Sequence, residues 1–507
     1  MIALFTSRPA AAQDSPTVFV DVNVVPLDSD RVLVHQSVLI RDGKIAVVGP
    51  DNSVKAPQGA RVIDGKGRYL MPGLVDMHVH FVRPPTPGKN EDTTFPQYDE
   101  LNERFSLLFV ANGITSVRVL WGHRGVDEIR DQILHHGVLG PTVYSTGPIT
   151  DGDPPSHSGT RVVTTPEQAR QAVRDDIANG YVATKVYDGL SLPVYQTIVE
   201  EARLHHFPVV GHVPYAVGVQ QVIQSHQASI EHADSFLVDL QPDPSKAGEK
   251  QINDLYKDAR IESLPRFAKE MKAADVWVCP TVVTSEMDRK TDVEEAKYLP
   301  PYLSAGFRKH YSDLQGVDGQ AEMRYEMAAT RGLHDAGVSL LAGSDTFKPN
   351  VIPGFSLLKE LNYFVQAGLT PYEAIKAATS DPARFLHQEQ EFGTVAVGRR
   401  ADLLLLNANP LEDVHNATKR AGVMVRGEWF PEEQLQEKLK KLAHQAHASQ
   451  ETPPLTPRQQ RVLGTVSPVF SRSANSTPPP AECLPPTYAR ASAGGRRRPH
   501  GVLNRPG

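Results

Sequence analysis

Two cysteines in 507 residues, Cys279 and Cys483, are too few for a disulfide framework or a cysteine-built zinc site. Any metal in this chain must therefore rest on histidine, carboxylate or modified lysine. Long apolar runs are missing too, and none approaches the length of a membrane span. Nor is there a strong excess of one charge. The formal net charge is −6 with 22% charged residues, which gives no general attraction to nucleic acid or to anionic membranes. What remains is a composition ordinary for a soluble enzyme, 40% hydrophobic, on a chain long enough to bury a large core. Composition leaves a homo-oligomer open.

The stretch Tyr69-Leu70-Met71-Pro72-Gly73-Leu74-Val75-Asp76-Met77-His78-Val79-His80 anchors the reading. Pro72-Gly73 is turn chemistry, and a short apolar run follows it. In an extended run, side chains i and i+2 share a face, so His78 and His80 point the same way with Val79 opposite. Two imidazoles on one strand face can hold one divalent ion. A bare His-X-His also arises by chance, so the rest of the chain has to test the idea.

Residues 18 to about 70 read as short strands, including a hairpin over 38–49 that turns at Asp42-Gly43, where positive φ is needed. After His80, strands alternate with helices, which predicts a parallel sheet. Strands are expected at 115–120, 142–145, 181–187, 208–212, 228–232, 276–280 and 338–345. With the anchor strand these predict an α/β fold, a closed (β/α)8 TIM-like barrel. Thr165-Pro166-Glu167-Gln168 and Thr370-Pro371 are helix starts, each with a Thr cap and Pro at the first position. Charged helical stretches around 240–270 and 285–330 are insertions, either a lid over the mouth or ordinary helices on the barrel wall.

Residues 392–430 return to β character and are expected to join the N-terminal strands in a small β-sandwich built from both chain ends. The expected division is 17–72 plus 390–432 as the sandwich and 73–389 as the barrel. Residues 1–16 are a disordered end or the remnant of an export signal. Residues 433–507 are a helical extension followed by a disordered tail rich in Pro and Arg. Ala10-Ala11-Ala12-Gln13-Asp14 resembles a signal-peptidase cleavage region, so export and a cytoplasmic location both stay open.

In such a barrel the active site lies at the C-terminal strand ends. His78, His80, Lys185, His212, His232 and Asp345 all fall there. A lone strand-end histidine is more often structural, and a lone Asp at a strand–loop junction is normally a helix cap. Six ligand-type residues at independently read strand ends are harder to explain as core filling. Lys185 is the least expected of them. Burial lowers an amine's pKa toward the neutral form, which can react with carbon dioxide to give an anionic carbamate able to bridge two metal ions. An exposed rim lysine in an ion pair is the plainer alternative.

These motifs resemble the amidohydrolase superfamily, in particular its members related to imidazolonepropionase and to the metal-dependent Xaa-Pro or Xaa-Arg dipeptidases. The Pro72-Gly73-Leu74-Val75-Asp76 run leading into His78-Val79-His80 is similar to that superfamily's first barrel strand. Thr184-Lys185-Val186-Tyr187-Asp188-Gly189 resembles its carbamate-lysine strand. Val210-Gly211-His212-Val213-Pro214, Ile230-Glu231-His232 and Ala342-Gly343-Ser344-Asp345-Thr346 resemble its later ligand strands, and 392–403 its return into the sandwich. The resemblance implies two divalent ions, zinc first among the candidates. One would sit on His78, His80, Lys185 as its carbamate, and Asp345, the other on Lys185, His212 and His232. It further implies that a metal-bridging hydroxide attacks a carbon–nitrogen bond of an amide, cyclic amide or dipeptide while Asp345 shuttles the proton. Tyr187 and His157 are candidates for substrate contacts. Lactone or phosphoester hydrolysis at the same site, and a catalytically silent barrel, are the alternatives.

Overall fold

The computed structural model describes residues 15–85, 94–287, 293–301, 303 and 319–448. The segments expected to be an export-signal remnant or disordered end and a disordered tail, and part of the 285–330 insertion, therefore lie outside the described residues, except for residues 15 and 16.

Both ends of the chain contribute to one eight-stranded sheet, which is the sandwich unit expected from the sequence. Its order is Glu428–Pro431, Arg420–Val425, Leu403–Leu406, Tyr69–Pro72, Thr17–Val24, Leu33–Arg41, Lys44–Pro50, with Arg61–Asp64 also paired to Thr17–Val24. The seam between the ends is antiparallel, from Leu403 opposite Pro72 to Leu406 opposite Tyr69. Leu403–Leu406 is buried on both faces, which is why it reads as an unbroken leucine run. Leu403 and Leu405 enter the core holding Phe19, Ile40, Leu70 and Trp429, whereas Leu404 and Leu406 join the barrel's core. Phe19 and Trp429 meet edge to face with centroids 5.3 Å apart. The hairpin turns at Asp42 and Gly43, with φ of 51° and 71°.

The barrel's regular strands are Leu74–Val79, Ile114–Val119, Thr142–Ser145, Thr184–Val186, Val209–Gly211, Ser229–Glu231 and Trp277–Cys279. Pairing is parallel among the first three and from the fourth to the seventh. The third and fourth join through Val182 N–H to Ser145 O (2.8 Å) and Gly147 N–H to Ala183 O (3.0 Å). The eighth segment departs from the expected continuous strand over 338–345. It closes the barrel through the isolated parallel bridges of Val278 with Leu340 and Val79 with Thr346. Asp345 has φ of 52°, so the backbone leaves the extended region where this side chain is placed. Asp76 on the first strand ties the seam by accepting the Ser344 N–H at 2.9 Å and the Ser344 hydroxyl at 2.6 Å. Burial pushes the Asp76 carboxyl up to about 7 against the pull of these hydrogen bonds.

Helices cover the outside. Thr165 and Thr370 both form full capping boxes, with Gln168 and Glu373 respectively, and a Pro in the first turn. Helices Leu264–Ala273 and Gly319–Asp335 lie between the sixth, seventh and eighth segments, with Leu264, Phe267, Met271, Tyr325, Ala329 and Leu333 in the core. These two helices pack on the barrel wall. Helix Glu432–Ala448 returns to the barrel, burying Leu435, Leu439, Leu442 and Ala446 at helical spacing. Among the described residues no helix is long and apolar enough to cross a membrane.

Candidate active site and metal centre

The barrel gathers all six ligand-type residues at the C-terminal ends of its segments. His78 lies in the first strand and His80 just after it. Lys185 is central in the fourth, while His212 and His232 each follow the last residue of theirs. His78 Nε2 and His80 Nε2 lie 3.3 and 3.0 Å from Asp345 Oδ1, and His232 Nε2 lies 3.7 Å from Asp345 Oδ2. The His78 and His232 rings are 4.7 Å apart, and those of His232 and His212 4.9 Å. Tyr187 stacks 3.9 Å from the His212 ring, and its hydroxyl is 2.9 Å from His157 Nε2. Lys185 Nζ lies 5.7 Å from the centre of the Tyr187 ring, so the eight residues singled out in the sequence form one cluster. A Cβ at Gly343 would stand 2.5 Å from Cys279 Sγ and 2.7 Å from His78 Cβ, so glycine is what lets the eighth segment approach this closely.

Electrostatics follow from enclosure. Burial pushes the basicity of His78 and His232 well below the ordinary value, and that of His80 below it. These rings are therefore neutral, the form that binds metal. Burial also raises the Asp345 carboxyl, but the Lys348 ammonium paired with it and the hydrogen bond to His80 hold it well below the usual carboxylate range. Lys185 is 1% exposed, and burial brings its amine down to about 8 even with Glu231 and Asp345 nearby.

The donor set fits divalent ions. Among the described residues, Nδ1 of His80 and Nε2 of His212 are buried with no hydrogen-bond partner, and both ring nitrogens of His78 lie beside carboxylates without hydrogen-bond geometry. Such atoms are costly to enclose unless something satisfies them, and a metal ion does so for a neutral imidazole. His78, His80 and Asp345 each offer a ligand atom within 4.8 Å of the other two.

Sequence reasoning missed the residues behind the ligands. Asp188 Oδ1 is 2.9 Å from His212 Nδ1, Thr281 Oγ1 is 2.7 Å from His232 Nδ1, and Glu231 Oε2 is 3.2 Å from His78 Nδ1. Beneath them Arg118 donates to Glu231, to Ser229 Oγ at 3.1 Å and to Met77 O at 2.6 Å. Asp188 stood inside a quoted motif, and Arg118 was a charge inside an apolar strand, which is a usable signal. Thr281 carried none.

The amidohydrolase family profile matches residues 69–430, a span that holds the whole cluster. Ochratoxinase from Aspergillus niger is 25% identical over 448 residues, covering 77% of this chain and 81% of the relative. Imidazolonepropionase from Geobacillus sp. is 22% identical over 405 residues, covering 74% and 85%. A solved Xaa-Pro dipeptidase with methionine bound in its active site is 19% identical with a TM-score of 0.60, over 82% of this chain and 100% of that one. A likeness at that identity speaks for the fold alone. The chain belongs to the amidohydrolase family.

Proposed function

We propose that this amidohydrolase-family hydrolase cuts a carbon–nitrogen bond in a small amide, cyclic amide or dipeptide at a centre of two divalent ions. The observation that carries the reading is the convergence of His78 Nε2 and His80 Nε2 on Asp345, in a cluster where His78, His80 and His212 keep buried ring nitrogens without a hydrogen bond. His78, His80, Asp345 and a carbamate on Lys185 would hold one ion, and the same carbamate with His212 and His232 the other. Zinc suits such nitrogen and carboxylate donors. The carbamate forms when the neutral Lys185 amine attacks carbon dioxide, making a nitrogen–carbon bond and releasing a proton. An amine lowered to about 8 supplies that neutral form near physiological pH.

When bound, the ions supply an activated water and polarise the scissile carbonyl. Asp345, ionised and central, takes a proton from the attacking water and returns it to the leaving nitrogen. Lys348, paired with Asp345, keeps that carboxylate charged. Tyr187 and His157, hydrogen-bonded to one another, offer a phenol and an imidazole to orient the substrate carbonyl or carboxylate. Membership of the amidohydrolase family supports a small-molecule amide substrate, and an N-acyl amino acid or dipeptide is the class to screen first.

Elemental analysis of protein expressed with bicarbonate, beside Lys185→Ala, tests the proposal. About two zinc-like ions per chain, falling in the variant, is the expected result. One ion unaffected by the substitution would remove the carbamate, and no metal under any condition would overturn the hydrolase mechanism.

A further inference from the structure

We propose that Thr281 orients His232 toward the metal centre, held for that task in a backbone conformation threonine ordinarily avoids. The inference rests on reading the cluster as a metal site.

Thr281 is completely buried just beyond the seventh strand, with φ of 56° and ψ of 43°. A β-branched residue in the left-handed region is an outlier that persists only when its surroundings enforce it. The enforcement is visible. Glu360, buried on helix Phe355–Gln366, accepts the Val282 N–H at 3.0 Å and the Val283 N–H at 2.8 Å, which pins the turn that Thr281 opens. His232 is itself left-handed, with φ of 68°, and donates its backbone N–H to Cys279 O at 2.8 Å. Two left-handed residues therefore face each other across the sixth and seventh strands.

Their side chains meet at Thr281 Oγ1 and His232 Nδ1, 2.7 Å apart. With the proton on Nδ1 donated to that hydroxyl, the lone pair of Nε2 is directed at the ligand cluster, 3.7 Å from Asp345. Metal-binding histidines characteristically have their second nitrogen fixed in this way, which sets both tautomer and ring orientation. Asp188 does the same for His212. If filling space were the whole task, glycine or asparagine would suit this backbone better. The hydroxyl is what threonine adds.

The experiment compares wild type with Thr281→Gly, Thr281→Val and Thr281→Ser. Each is stripped by chelation, titrated with zinc against a competing chromophoric chelator, and melted as the metal-free protein. Thr281→Gly relieves the backbone and removes the hydroxyl. Its metal-free Tm should hold or rise while its affinity for one of the ions falls about 10–100-fold. Thr281→Val should show the same loss of affinity, and Thr281→Ser should stay close to wild type. A Thr281→Gly protein that binds both ions as tightly as wild type overturns the inference alone. Loss of metal-free stability and of zinc affinity together in that variant overturns it too, since Thr281 would then be purely structural. A wild type that binds no zinc removes the metal reading and this inference with it.

Discussion

Arg118 and Glu231 form a fully enclosed ion pair beneath the ligand cluster, with Arg118 Nη2 at 2.8 and 2.9 Å from the two carboxylate oxygens. The pair sits inside the barrel, with Glu231 also against His78. A buried charge left without its partner is far costlier than a pair removed whole. Arg118→Met should therefore lower stability by about 3–5 kcal/mol, and the double variant Arg118→Met/Glu231→Gln should recover most of it. Urea unfolding of the metal-free proteins measures both, and equal stability of wild type and the single variant would contradict the account.

Asp345→Asn keeps the shape of the side chain and removes its negative charge. With any N-acyl amino acid or dipeptide that the wild type cleaves, kcat should fall about 100- to 10,000-fold, with a smaller change in KM. An unchanged kcat would assign the proton transfer to another group.

Acid should weaken the protein through His123. Its ring is half-buried, 3.3 Å from Phe81 O, and desolvation pushes it down to about 3. Between its ordinary value of 6.5 and about 3, the unfolded chain binds a proton that the folded chain refuses, so stability falls as pH drops through that window. His123→Gln should flatten the dependence by up to one proton, about 1.4 kcal/mol per pH unit. Urea unfolding of both metal-free proteins across the window supplies the slopes, and identical slopes would show that His123 does not titrate this way.

Trp429→Ala opens the core shared by the two chain ends. A loss of about 3–5 kcal/mol is expected from the cavity and the missing contact with Phe19. Thermal unfolding reads it, and a change below about 1 kcal/mol would mean the strand Glu428–Pro431 adds little.

Local chemistry decided what was legible in the sequence. The strand at 142–145 and the two Thr-Pro helix starts stand where expected, since pattern and caps depend only on near neighbours. His78, His212 and His232 were legible because residue type and strand end coincide. The eighth segment was not, because its apolar run looks like any strand while the turn at Asp345 is imposed by its tertiary setting. Thr281 and Glu231 stayed hidden for a related reason. Their meaning lies in distances across neighbouring strands, which no single stretch of chain encodes.

The leucine strand that seals the composite sheet has a consequence for the order of synthesis. Tyr69–Pro72 leads directly into the first ligand strand, yet its antiparallel partner Leu403–Leu406 leaves the ribosome only after the whole barrel has been translated. Until then that edge is open, and a nascent chain that stalls inside the barrel exposes a strand ready to pair with a neighbouring chain. The late leucine strand thus works as a latch that closes only on a finished barrel.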